Sequence, residues 1–318
     1  MRKYIIYSIL ITLLIFFNAC KGKGVKTGGW IKYENNPVLG GAELGTIFDI
    51  FVLEEGNEYM MYSSWRPKRS IAVSTSADGK KWTDPEIVLS PTTDTDWEDD
   101  VNRPAVVKKD GVYHLWYTGQ AKGKNSWIGY AAGTDGKNFV RQSNQPVISP
   151  TEPWEKVAVM CPDVIWDEGE QIYKMWYSGG EQYEPDAIGY ATSKDGLHWD
   201  KLPQPVFSAD PSKEWEQYKV TACQVIKRKN DYLMFYIGFR NIDFAQIGMA
   251  RSKDGISNWE RYEGNPIISP TKDTWDASAT YKPFAIQKKD RWMLWYNGRN
   301  ESVEQIGLAI HKGANLGF

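Results

Sequence analysis

Five copies of one short motif, spaced almost evenly, restrict this 318-residue chain to a repeat architecture. IAVSTSADGKKW starts at Ile71, IGYAAGTDGKNF at Ile128, IGYATSKDGLHW at Ile188, IGMARSKDGISNW at Ile247, and a shortened IGLAIHKG at Ile306. Each copy alternates apolar and small polar residues, meets an Asp-Gly or Lys-Gly turn, and in four cases reaches an aromatic, which is the signature of strand, tight turn and strand. A second hairpin precedes each copy, for example AVVKKDGVYHLWYTG and DVIWDEGEQIYKMWYSG. Four strands thus recur about every 60 residues, with no sustained helical period. The strand after the turn recurs as WTDPEIVLSP, FVRQSNQPVISP, WDKLPQPVFSAD and WERYEGNPIISP. Its fifth copy is displaced to the N-terminus as WIKYENNPVLG, from Trp30. An all-β, five-bladed β-propeller follows, with four antiparallel strands per blade and the ring closed by the N-terminal strand, which removes free sheet edges.

The chain begins with a targeting segment. Arg2 and Lys3 are followed by an apolar stretch, Tyr4 to Phe17, too short and too early for a membrane span. It ends in FNAC, which resembles a bacterial lipoprotein signal. Residues 1–19 are then the signal peptide, Cys20 the lipidated first residue, 20–29 a flexible tether, and 30–318 the propeller. An ordinary cleaved signal with an incidental cysteine is the other reading. The expected location is the bacterial cell envelope, after export, with membrane contact only through acyl chains.

Charge is nearly balanced, 38 Lys and Arg against 40 Asp and Glu, so nothing marks a nucleic-acid or anionic membrane surface. The remaining cysteines, Cys161 and Cys223, make no disulfide framework. His114, His198 and His311 show no metal-ligand spacing, so no metal or cofactor is expected. The 15 Trp and 18 Tyr suit packed sheet cores and stacking against sugar rings. A monomer is the expected state.

Aligning the repeats locates a channel mouth. Fourteen residues before Tyr117, Tyr177, Tyr236 and Tyr296, and thirteen before Tyr62, lie Arg103, Asp163, Ala222, Lys282 and Asp49, at the starts of the inner strands. The second strands end beside them at Trp65, Gln120, Glu181, Arg240 and Arg299. Equivalent positions holding acids, bases and an alanine suggest a functional funnel, or a ring of mutually satisfied ion pairs. Glu98, Glu155, Glu216 and Asp276 each follow a Trp in four repeats, a recurrence that marks them as structural; Asp99, Asp100, Glu43 and Asp186 remain open as acids.

At these residues the chain resembles the five-bladed propeller glycosidases of glycoside hydrolase families 32, 43, 68, 117 and 130, with the family 43 pattern nearest. That resemblance implies a glycoside hydrolase, of inverting type, acting on an oligo- or polysaccharide, one with acidic sugars being a candidate. It assigns Asp49 as general base and Asp163 as the carboxylate that orients the acid. Ala222 stands where the family's acidic glutamate belongs, so Glu181 becomes the provisional acid. Inversion needs two carboxyl groups ~6.5–9.5 Å apart in different protonation states. Arg103, Lys282, Arg240 and Arg299 supply anion recognition, and Trp65 and Tyr183 stacking surface. The arginines keep open a glycoside phosphorylase using inorganic phosphate, and Ala222 a non-catalytic glycan-binding propeller.

Overall fold

The computed structural model describes residues 28–123, 125–181 and 185–318. Cys20, residues 1–27 and Tyr183 lie outside them. The described chain is all-β, and its only helical pieces are the three-residue 3₁₀ turns Arg66–Lys68 and Pro153–Glu155.

Each repeat unit opens with a long antiparallel hairpin. These are Ile47–Glu55 with Glu58–Trp65, Asp100–Lys109 with Val112–Gln120, Ala158–Asp167 with Ile172–Gly180, Lys219–Lys227 with Tyr232–Phe239, and Ala279–Gln287 with Arg291–Asn300. The repeated motif is the third strand of its unit, and a short fourth strand pairs outside it. Units one, four and five are four-stranded sheets. Units two and three share one nine-stranded sheet, because Ala158 pairs in parallel with Ser126 across their junction. In the last sheet the outer strand is Trp30–Lys32, paired with Val303–Lys312, as the displaced motif implied. Lys32 Nζ bonds the buried Asp276 carboxylate at 2.5 Å. That is the position Arg141, Lys201 and Arg261 take on Glu98, Glu155 and Glu216 in other units. Each of these acids also accepts a buried tyrosine hydroxyl, from Tyr117, Tyr177, Tyr236 or Tyr296. A recurring buried acid is affordable only when its oxygens are satisfied in this way.

Two sets of hydrogen bonds tie neighbouring units. Aromatic donors reach the turn of the next unit, Tyr62 to Gly136, Trp116 to Gly196, Trp176 to Gly255 and Trp295 to Gly79, all onto glycine carbonyls at 2.8–2.9 Å. The second set lies at the starts of the inner strands. There the ladder of every hairpin is interrupted, and one residue takes a left-handed backbone: Asp49, Arg103, Cys161, Ala222 and Lys282, with φ of 50°, 53°, 54°, 36° and 46°. Such a φ costs a residue with a Cβ roughly 1–2 kcal/mol. The freed N–H groups of four are taken by the preceding unit: Arg103 by Ser64 Oγ, Cys161 by Thr118 Oγ1, Ala222 by Ser178 Oγ, and Asp49 by Asn297 Oδ1. The bond from Asp49 to Asn297 joins the first unit to the last.

Ser178→Ala strands the buried Ala222 N–H. Loss of about 1–3 kcal/mol of stability is expected in urea unfolding, and an unchanged midpoint would show that this bond does not hold the unit.

Candidate functional site

The bulge residues define equivalence better than residue counts do, and they move four sequence-based positions. In the third unit the bulge is Cys161, not Asp163, which lies two residues further along and pairs with Trp176. Counting fails there because that hairpin turn, 168–171, holds two more residues than the turns at 56–57 and 110–111 without shortening the flanking ladder. In the first unit Tyr62 is the counterpart of Trp116, not of Tyr117. Ser63 is the true anchor and Asp49 the true equivalent. At the second-strand ends the ladder aligns Arg66, Gln120, Gly180, Phe239 and Arg299. Trp65, Glu181 and Arg240 are therefore one residue out; a one-residue slip turns a side chain to the other face, although Trp65 still reaches the cavity.

The geometry follows that correction. A cavity of about 550 Å³ opens where the bulges meet, and Asp49, Arg103, Trp65 and Arg299 line it together with Cys161 and Ala222. Glu181 and Arg240 do not line it. Glu181 is well exposed and bonds Lys156 Nζ at 3.1 Å, while Arg240 lies over Phe244 and 4.0 Å from Glu214. The structure thus separates Glu181 from the other assigned carboxyl groups. Asp163 and Lys282 are buried outside the lining. Asp163 Oδ2 accepts the Val225 N–H at 2.7 Å, just as Gln224, its counterpart in the next unit, holds the Ala285 N–H and carbonyl. Burial pushes the Asp163 carboxyl up to about 7, and the Lys282 charge opposes part of that rise. Asp163 is thus placed as a tie between two units beneath the cavity.

One pole of the cavity is charged. Asp49 Oδ2 lies 3.1 Å from Arg103 Nε. Arg103 also donates to Asn102 Oδ1 at 2.8 Å and Gln120 Oε1 at 3.2 Å. Arg66 donates to Glu304 Oε2 at 3.0 Å, and Tyr281 donates its hydroxyl to the other oxygen of Glu304. Arg66 and Arg103 both lie over the Phe48 ring, at 4.2 and 5.9 Å. Arg69 stands 3.9 Å from Asp100, whose carboxyl is raised by burial. Arg299 donates to the Asp243 carbonyl at 2.9 Å, and its buried Nε has no hydrogen-bond partner among the described residues. Trp65 is anchored by its indole N–H on the Leu44 carbonyl. Three guanidinium groups thus meet three carboxylates, Arg299 adds a fourth guanidinium to the lining, and the lining suits an anionic or polyhydroxylated ligand. Sequence reasoning passed over Arg66, Arg69, Glu304 and Tyr281; the basic run WRPKR after the first hairpin was the available signal for two of them.

Fold and lining define a glycoside-active enzyme. The model of glycosyl hydrolases family 43 matches residues 35–313, and the chain belongs to that family. It is 28% identical over 235 residues to a 1,2-beta-oligomannan phosphorylase of Thermoanaerobacter sp., covering 70% of this chain and 73% of that one. It is 27% identical to a beta-1,2-mannobiose phosphorylase of the same organism, over 54% of this chain and 76% of the relative. Among solved structures, a glycoside hydrolase superposes with a TM-score of 0.72 at 20% identity, covering 86% of this chain and 89% of that chain. The beta-1,2-mannobiose phosphorylase of Listeria innocua superposes at 0.67 and 15%, covering 89% and 96%; both structures attest the fold.

The raised Asp163 carboxyl carries a stability consequence. Its contribution is fully present near pH 4 and is lost as pH rises toward 7, because the folded site disfavours the anion. The thermal midpoint of Asp163→Asn relative to the parent should therefore rise between pH 4 and pH 8. A constant difference over that range would place the Asp163 titration elsewhere.

Proposed function

We propose that the five units are the blades of a five-bladed β-propeller, and that the chain is a glycoside phosphorylase acting on β-1,2-linked mannosides with inorganic phosphate as nucleophile. The observation that carries it is the four-arginine pole around Asp49, in a mouth whose third and fourth bulges are Cys161 and Ala222. The family 43 pattern calls for three carboxyl groups at the bulges, and only Asp49 is present. Hydrolysis by that scheme lacks its acid and the carboxylate that orients it. Phosphorolysis asks less of the protein, since phosphate brings its own nucleophilic oxygen and no carboxylate base is needed. The two phosphorylase relatives support the same reading.

Arg66, Arg69, Arg103 and Arg299 hold the phosphate in charge-assisted hydrogen bonds. One phosphate oxygen attacks the anomeric carbon as the bond to the leaving oxygen breaks. Asp100, whose carboxyl burial raises above its ordinary value, is assigned as the acid that gives that oxygen its proton and recovers one from solvent. Asp49, fixed beside Arg103, binds the sugar hydroxyls. The products are a glycosyl phosphate and the shortened saccharide. Hydrolysis is the second reading, favoured by the presence of both Asp49 and Asp100 in one lining: Asp49 would then activate water and Asp100 remain the acid. Residues 1–20 belong to the proposal as the export signal and lipid anchor.

With β-1,2-mannobiose, mannose 1-phosphate should form only when phosphate is supplied. Free mannose released at one rate with and without phosphate would overturn phosphorolysis and leave hydrolysis. Asp100→Asn should lower kcat about 10²-fold or more. Arg69→Ala should raise the KM for phosphate about tenfold with the glycoside KM little changed; equal rises in both would remove Arg69 from the phosphate.

A further inference from the structure

One wall of the cavity is apolar. Ala222, Ile237, Phe239, Ala245 and Ala279 line it, with Cys161 at its edge. These six belong to one hydrophobic cluster, completed by Ala158 and Met160 and separate from the three clusters that fill the sheets. The wall comes from the fourth unit, which supplies Ile237, Phe239 and Ala245 from its second and third strands, and from the bulge and strand start beside it. Thr221 lies beside it, and its hydroxyl is buried with no hydrogen-bond partner among the described residues. A sugar hydroxyl against this wall loses water and gains no partner from these six side chains, which is unfavourable. An apolar group there is favoured by about 0.8 kcal/mol for each methylene buried.

We propose that this wall is a subsite for an apolar substituent on the glycoside, either on the ring (a deoxy methyl, methyl ether or acyl group) or as the aglycone. The inference rests on the cavity being the glycosyl site, as proposed above, and holds for phosphorolysis and hydrolysis alike. The cavity is then divided by function. Its arginine pole takes the nucleophile and the hydroxylated face, and its fourth-unit wall selects among glycans by what is missing from them.

Titration calorimetry on the full chain tests this with paired probes. The methyl and hexyl β-glycosides of mannose, glucose and galactose address the aglycone, and D-mannose against 6-deoxy-D-mannose addresses the ring. At least one pair should favour its more apolar member by about tenfold, the gain from roughly two buried methylenes. The pair that responds tells aglycone from ring. Ile237→Thr, close in shape and folding like the parent by circular dichroism, should bring that ratio below threefold. Arg69→Ala should leave it unchanged. Ratios below twofold for every pair overturn the subsite, as does a hexyl preference that survives Ile237→Thr. Retained ratios without any phosphate-dependent product would sink the phosphorylase reading alone.

Discussion

The site depends on a backbone N–H released at each inner-strand bulge and captured by the preceding unit. Ser64, Thr118, Ser178 and Asn297 perform that capture at one equivalent place in the hairpin. Each bond offsets part of the cost of a left-handed residue, and holds the next strand at a fixed offset. The fourth unit differs: Ile237 occupies the acceptor position, with no side-chain oxygen to offer Lys282. That same isoleucine opens onto the cavity and begins its apolar wall. One substitution in the stitching row thus coincides with the change in chemistry of the mouth.

Because the bond is made by main chain, the bulge side chain takes no part in that bond. Five equivalent positions can therefore carry an aspartate, an arginine, a cysteine, an alanine and a lysine on one scaffold. The contrast with Glu98, Glu155, Glu216 and Asp276 is instructive. Those acids recur because their oxygens bind a tyrosine and a cation within their own unit, so a change at one leaves several buried polar groups unpaired. Recurrence marks the carboxylates that build the fold, and variation marks those at the mouth.

The repeat period, the displaced first strand and the structural acids were legible because each rests on local pattern: alternation, turn residues and aromatic spacing. The mouth was legible only where counting stayed in step. Asp49, Arg103 and Arg299 were found, and Ala222 was recognised as a missing acid. Asp163 displaced Cys161 because a turn longer by two residues is invisible to a count made across it. Glu181 and Arg240 displaced Gly180 and Phe239 because strand ends show no alternation to reveal a one-residue slip. Arg66 holds the second-strand end that the count gave to Trp65, and Arg69 and Glu304 lie outside the positions that repeat alignment interrogates. Tertiary placement alone brings them to the same cavity.

Correcting those two registers changes the chemistry as well as the bookkeeping. With Asp163 and Glu181 in place, the mouth reads as a carboxylate site moderated by a few bases. With Cys161, Gly180 and Phe239 there instead, the third and fourth units present no charge to the cavity, and every ionised group comes from the first, second and fifth. On the proposed reading, the ligand of such a cavity is itself divided, anionic or hydroxyl-rich on one side and poor in hydrogen-bonding groups on the other. The four other units keep an oxygen at the stitching position where the fourth has isoleucine, so the repeat architecture does not require this asymmetry.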